Sequence, residues 1–129
     1  MPNNHLLGGA IAIIATVHLA IQIPGVNLRT ITYGSPRVGN QAFVDFVNGL
    51  GVMNRINNKQ DPVPILPGRS FNFAHTEGEI HIVNSSAWVS CPGQDNTNSQ
   101  CTIGYVPNIL VGNVGDHLGP YDGVYLGQC

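Results

Sequence analysis

The chain has 129 residues, a length that suits one domain whose core buries about two-thirds of the unfolded surface. Charged residues make up only 9% and the net charge is −2, with no basic stripe, which argues against nucleic acid as a partner. Gly, Pro, Asn, Ser and Thr fill the gap, so the surface reads as neutral and rich in loops.

The chain opens Asn4-His5-Leu6-Leu7-Gly8-Gly9-Ala10 and continues as an apolar run to Ile23. Gly8, Gly9, Thr16, His18 and Gln22 interrupt that run, which is also at the short limit for a bilayer span. It lacks the basic flank of a signal peptide. A buried helix over His5 to Ile23 is expected, and no membrane span. The opening has the shape of a nucleophile elbow, G-x-S-x-G between a strand and a helix. Asn4 stands at the first glycine and Leu6 at the serine. Leucine has no nucleophilic atom and no proton to give up.

Pro24-Gly25 ends the helix. Leu28 to Tyr33 alternates and is rich in β-branched residues, so it predicts a strand. After a loop over Gly34 to Gly39, Asn40 caps a helix whose Phe43, Val44, Phe46, Val47 and Leu50 recur at helical spacing. Gly49 and Gly51 close it. Val52 to Ile56 predicts a short strand, and Asn57 to Pro67 a loop with three prolines. Phe71 to Ala74 and Glu79 to Val83 read as two antiparallel strands joined through His75-Thr76-Glu77-Gly78. His75, Glu77, Glu79 and His81 share a strand face only if no turn intervenes, and Gly78 favours a turn. His117 stands apart, so no metal and no cofactor are expected.

Cys91 and Cys101 bracket a loop of turn formers and amides, which favours a local disulfide and an oxidising compartment. Asn84-Ser85-Ser86 is a glycosylation sequon whose meaning depends on secretion. Tyr105 to Val114 has no clear type, and a last segment runs from Asp116 to Tyr125. Helix, strand, helix, strand and hairpin predict a single α/β domain over 1–129 with a mixed sheet.

Gly34-Ser35-Pro36-Arg37-Val38-Gly39-Asn40-Gln41-Ala42-Phe43, followed by Arg55-Ile56-Asn57-Asn58-Lys59-Gln60-Asp61-Pro62-Val63-Pro64-Ile65-Leu66-Pro67, closely resembles the fungal class 3 lipases, which include triacylglycerol lipases and feruloyl esterases. The resemblance implies a three-layer α/β/α sandwich with a mixed sheet, a truncated α/β-hydrolase-like fold. It places Asp61 at the triad acid and His117 at the triad base, in the chain order of α/β-hydrolases. His5, Leu7, Gly8, Gly9 and Ala10 match the family's elbow, with Leu6 in the serine's place. In the family, strands, a lid helix and an oxyanion residue precede the elbow, and many members tie a C-terminal cysteine to an N-terminal one. Cys129 is therefore expected to lack that partner and to be free or intermolecular, which would favour a homodimer.

With Leu6 at the nucleophile position, the expectation is a non-enzyme with a vestigial triad of Leu6, Asp61 and His117. The resemblance extends to small mushroom lectins, so a secreted carbohydrate-binding protein is the first reading, with glycans or glycoproteins as partners. Trp88, Gln94, Asp95, Asn96, Asn98, Tyr105, Tyr121 and Asp122 offer the aromatic faces and polar groups that sugars need. The alternative is a lipase or esterase fragment with residual ester hydrolysis. A third is a domain that binds a protein partner.

Overall fold

A computed structural model describes residues 4–126, apart from the side chains of Asn4 and His5. The chain begins with α1 (Asn4–Gln22), where small residues allow close packing on one side. A Cβ added at Gly9 would lie 2.9 Å from the Cβ of Ser35, so the helix and the loop after the first strand touch. Ile13 and Thr16 are buried on that side, and the Thr16 hydroxyl donates to the Ala12 carbonyl at 2.8 Å. The other side of α1 is also apolar: Leu7, Ile11, Ile14 and Ile21 are each more than half exposed. The helix predicted as buried is thus buried along one stripe only.

β1 (Thr30–Tyr33) follows, then α2 (Gln41–Leu50). Asn40 caps α2 as expected, its side chain accepting from the Phe43 N–H at 3.1 Å. Gly51 closes the helix in the left-handed conformation at φ 65°, returning its N–H to the Asn48 carbonyl. β2 (Met53–Asn58), β3 (Glu79–Asn84) and β4 (Ala87–Cys91) complete a four-stranded sheet in the order β1-β2-β3-β4. β1, β2 and β3 run parallel, while β4 returns antiparallel to β3. The sheet is mixed, as the order of elements predicted.

One predicted hairpin is displaced. Phe71 to Ala74 forms no strand: Arg69–Phe71 is a 3-10 turn, and Ala74 makes only an isolated bridge to Gly39. The hairpin partner of β3 is β4, turning at Asn84 and Ala87. Alternation alone favoured the earlier pair. The real turn lies in Asn-Ser-Ser, and Gly78 serves the entry to β3, at φ +85° hard against the Met53 carbonyl.

Alternation splits the core between the two faces of β2. Met53 packs with Ile13 of α1 and Val47 of α2. Ile56 packs with Ile82 of β3 and Tyr121 of the C-terminal segment. The helices thus form one outer layer and the C-terminal segment the other. A buried polar layer shares this interior. The Arg55 guanidinium donates to the Thr76 carbonyl at 2.8 and 3.0 Å and lies 3.7 Å from Glu79.

His75 sits in the same layer, with its ring N–H donating to the Pro64 carbonyl at 2.7 Å. Burial, reinforced by the nearby Arg55 and Arg37 cations, pushes its imidazole well below the usual 6.5. The folded chain therefore binds fewer protons here than the unfolded chain. The neutral ring's contribution is complete above pH 6.5 and is lost as the pH falls toward the folded value. Urea unfolding should show stability dropping below pH 6.5 with a limiting slope of about 1.4 kcal/mol per pH unit from this group. His75→Gln should flatten that part of the profile; an unchanged slope would remove His75 as the cause.

Candidate active site

Two loops bring the predicted acid and histidine together. The first leaves β2 and carries Asp61; the second is the 3-10 turn Val114–His117, whose cap Asn113 accepts from the Gly115 N–H at 3.0 Å. The loops are laced to each other. The Asn58 side chain donates to the Asp116 carbonyl at 2.9 Å, the Asp116 carboxylate accepts from the Gln60 N–H at 3.1 Å, and the Asn113 N–H donates to the Gln60 carbonyl at 2.7 Å. This lacing sets the separation of Asp61 and His117. Sequence reading missed Asn58, Gln60 and Asp116 in that role, although all three flank motif positions.

The Asp61 carboxylate divides its work. Oδ1 accepts from the Val63 N–H at 2.8 Å, and Oδ2 accepts from Nδ1 of His117 at 2.9 Å. Both side chains are 1% exposed. A carboxylate that accepts from Nδ1 holds the proton there and leaves a lone pair on Nε2. Nε2 is buried and has no hydrogen-bond partner among the described residues. The pair is thus an oriented base whose working nitrogen is unclaimed. Tyr121 backs it: its hydroxyl donates to the His117 carbonyl at 3.3 Å, and its ring meets Tyr33 edge-on at 5.4 Å. Burial, with Asp61 and Asp116 nearby, raises the Tyr121 phenol above its ordinary value, so it remains a neutral donor.

Gly34 closes the site from the end of β1. It lies at φ +55°, and an added Cβ would sit 2.6 Å from Asp61 Oδ2 and 2.8 Å from His117 Nδ1. Gly34→Ala should therefore both strain the backbone and pry the pair apart, lowering stability by about 2–4 kcal/mol. Chemical denaturation measures it. A loss under about 0.5 kcal/mol, the ordinary surface range, would show that the packing around the pair is loose.

The sequence model of the family described as Lipase (class 3) matches residues 5–71. The chain belongs to the class 3 lipases. The lipase of Rhizomucor miehei is 37% identical over 131 residues, covering 98% of this chain and 35% of that lipase. Its solved propeptide complex superimposes with a TM-score of 0.83 at 34% identity, covering 97% of this chain and 40% of that one. A triacylglycerol lipase whose catalytic centre is formed by a serine protease triad superimposes with a TM-score of 0.80 at 34% identity, over 95% of this chain and 47% of that one. This chain therefore spans less than half the length of these class 3 lipases. The fold is a truncated α/β-hydrolase-like one, as the motifs implied.

The expectation of a non-enzyme is overturned. Relatives at 31 to 43% identity are named lipases, several of them secreted mono- and diacylglycerol lipases. Nothing in these likenesses supports sugar binding or a homodimer.

The eight residues singled out for sugar do not form one surface. Trp88 and Asp122 share a cleft of about 290 Å³ with Lys59, Ser85 and Pro120. The rest lie elsewhere, and most are already engaged. Asp95 accepts from the Arg37 guanidinium at 2.6 and 3.0 Å and from the His75 N–H at 2.9 Å. Gln94 accepts from the Gln41 side chain at 2.8 Å. Asn96 accepts from the Asn98 N–H, and Asn98 accepts from the Gln100 N–H, each at 2.9 Å. Tyr105 lies edge-on to His81 at 5.1 Å, and Tyr121 is only 4% exposed. Asp95 and Tyr121 are structural, because their polar atoms face inward. The amide-rich loop uses its side chains to hold its own turns.

The Cys91–Cys101 disulfide is present, with Cα atoms 5.9 Å apart. Glu79 clusters with these two sulfurs, but a disulfide offers no thiolate to a metal. His75 and His81 bond to backbone carbonyls instead. Cys129 lies outside the described residues. No helix among the described residues is long and apolar enough to cross a membrane.

Proposed function

We propose that this chain supplies the acid–histidine base of a secreted, lipase-type ester hydrolase acting on carboxylic esters of glycerol. The observation that carries the reading is the buried Asp61–His117 pair at 2.9 Å, with no hydrogen-bond partner on Nε2 among the described residues. The lipase names of the relatives support the substrate class, and the word secreted in several of those names supports an extracellular place. A sugar-binding reading retains only the cleft of Trp88 and Asp122, and no named relative favours it.

Leu6 stands where the family motif has serine, so the nucleophile in this chain is water. His117 Nε2 takes a proton from water as its oxygen bonds to the ester carbonyl carbon. The Asp61 carboxylate stabilises the imidazolium that results. The tetrahedral adduct then collapses, breaking the bond to the leaving alcohol, which takes the proton back from Nε2. The product pair is acid and alcohol, and no acyl-enzyme forms.

A short-chain p-nitrophenyl ester tests this. The wild type should release p-nitrophenol above the buffer rate, and His117→Ala and Asp61→Asn should each lower that excess by about 10²-fold or more. If His117→Ala hydrolyses the ester as fast as the wild type does, the base assignment fails.

A further inference from the structure

We infer that Asn84 is an N-glycosylation site, its side-chain amide carrying an oligosaccharide added in the secretory pathway. The inference rests on the extracellular place proposed above. Asn84-Ser85-Ser86 is the chain's sole sequon, and neither the middle residue nor Ala87 after it is proline. The motif falls on the β3–β4 turn, and all three of its residues are exposed. Exposure is not general among the asparagines here: Asn57 and Asn58, on the neighbouring β2, are 1% and 0% exposed.

The local geometry suits transfer. The Asn84 carboxamide oxygen accepts from the Ser86 N–H at 2.9 Å, an Asx turn that brings the amide and the serine at the third position to the same bend. No hydrogen bond among the described residues engages the Asn84 Nδ2. In the transfer, Nδ2 bonds to the anomeric carbon of a lipid-pyrophosphate-linked oligosaccharide. The bond from that carbon to the pyrophosphate oxygen breaks, the lipid pyrophosphate departs, and Nδ2 loses one proton.

The position also has a physical consequence. β4 is an edge strand of the sheet, and an open edge invites pairing with other chains. A hydrated glycan at the end of the β3–β4 hairpin hinders approach along that edge. Ser85 lines the Trp88 and Asp122 cleft, so the glycan stands at the cleft's rim rather than at the Asp61–His117 pair.

The test is expression of the full chain behind a foreign secretion signal in a eukaryotic host, with intact mass read before and after a peptide N-glycosidase. The expected result is a secreted chain heavier than its polypeptide by one oligosaccharide, removed by the enzyme with conversion of Asn84 to aspartate. Asn84→Gln should abolish the added mass. Ser86→Ala should abolish it too while leaving the turn, which uses only the Ser86 backbone N–H. Ser86→Thr should retain it. Recovery of the wild type at its bare polypeptide mass, beside a control protein glycosylated in the same cells, would overturn the inference. The foreign signal separates this from the extracellular reading, which fails instead if the protein stays inside the cells that naturally make it.

Discussion

Leu6→Ser should raise ester hydrolysis by about 10²–10⁴-fold over the wild-type chain. The serine hydroxyl would enter in the first turn of α1, one turn before the point where Gly9 packs against Ser35. His117 Nε2 is buried, oriented by Asp61 and without a hydrogen-bond partner among the described residues, so it has a lone pair for the serine proton. The gain arises because an acyl-enzyme route replaces direct attack by water, splitting one hard step into two easier ones. Two controls make the result specific. The Leu6→Ser, His117→Ala double variant should fall back to the wild-type rate or below, because nucleophile and base act as a unit. A fluorophosphonate probe should label the Leu6→Ser chain and not the wild type. A rate unchanged by Leu6→Ser, in a chain that unfolds at the wild-type denaturant midpoint, would mean that the elbow is not aligned with Nε2.

Asp95→Ala should destabilise the chain by about 3–5 kcal/mol, the range for breaking a buried ion pair from one side. The Arg37 side chain is 2% exposed and the Asp95 side chain 10%. Arg37 also donates to the Ile65 and Pro67 carbonyls, so it clamps the proline loop to the cysteine loop. Removing the carboxylate leaves a guanidinium without its counter-charge and the His75 N–H without its acceptor. Replacing both partners, as in Arg37→Met with Asp95→Ala, should recover much of the loss, since no unpaired charge then remains. Equilibrium urea unfolding of the two single variants and the double variant measures the coupling. Additive losses would show that the pair is only a surface contact.

These two expected outcomes separate the chain's chemistry from its architecture. From sequence, Asp95 reads as a ligand group because it lies in a polar, stapled loop. Its partner is 58 residues away in sequence, and no local pattern reports such a contact. Tyr121 is decided in the same way: only the tertiary fold brings its segment back over Ile56 and Ile82, where it is buried. The hairpin was misassigned because apolar alternation cannot choose between two neighbouring partners when each has a turn signal.

The residues themselves marked the Asn40 cap, the succession of elements up to β2 and the Cys91–Cys101 pairing, and the family resemblance singled out Asp61 and His117. Each of these depends on short-range spacing or on a long motif, so linear order is enough to read it. Only the tertiary structure decided what those groups can do. It set Asp61 and His117 at 2.9 Å through the lacing of two loops, left Nε2 without a hydrogen-bond partner among the described residues, and turned the Asp95 carboxylate of the cysteine loop toward Arg37. Function here depends on which polar atoms remain unpaired after folding. That is a property of the whole packed chain, and no stretch of sequence contains it.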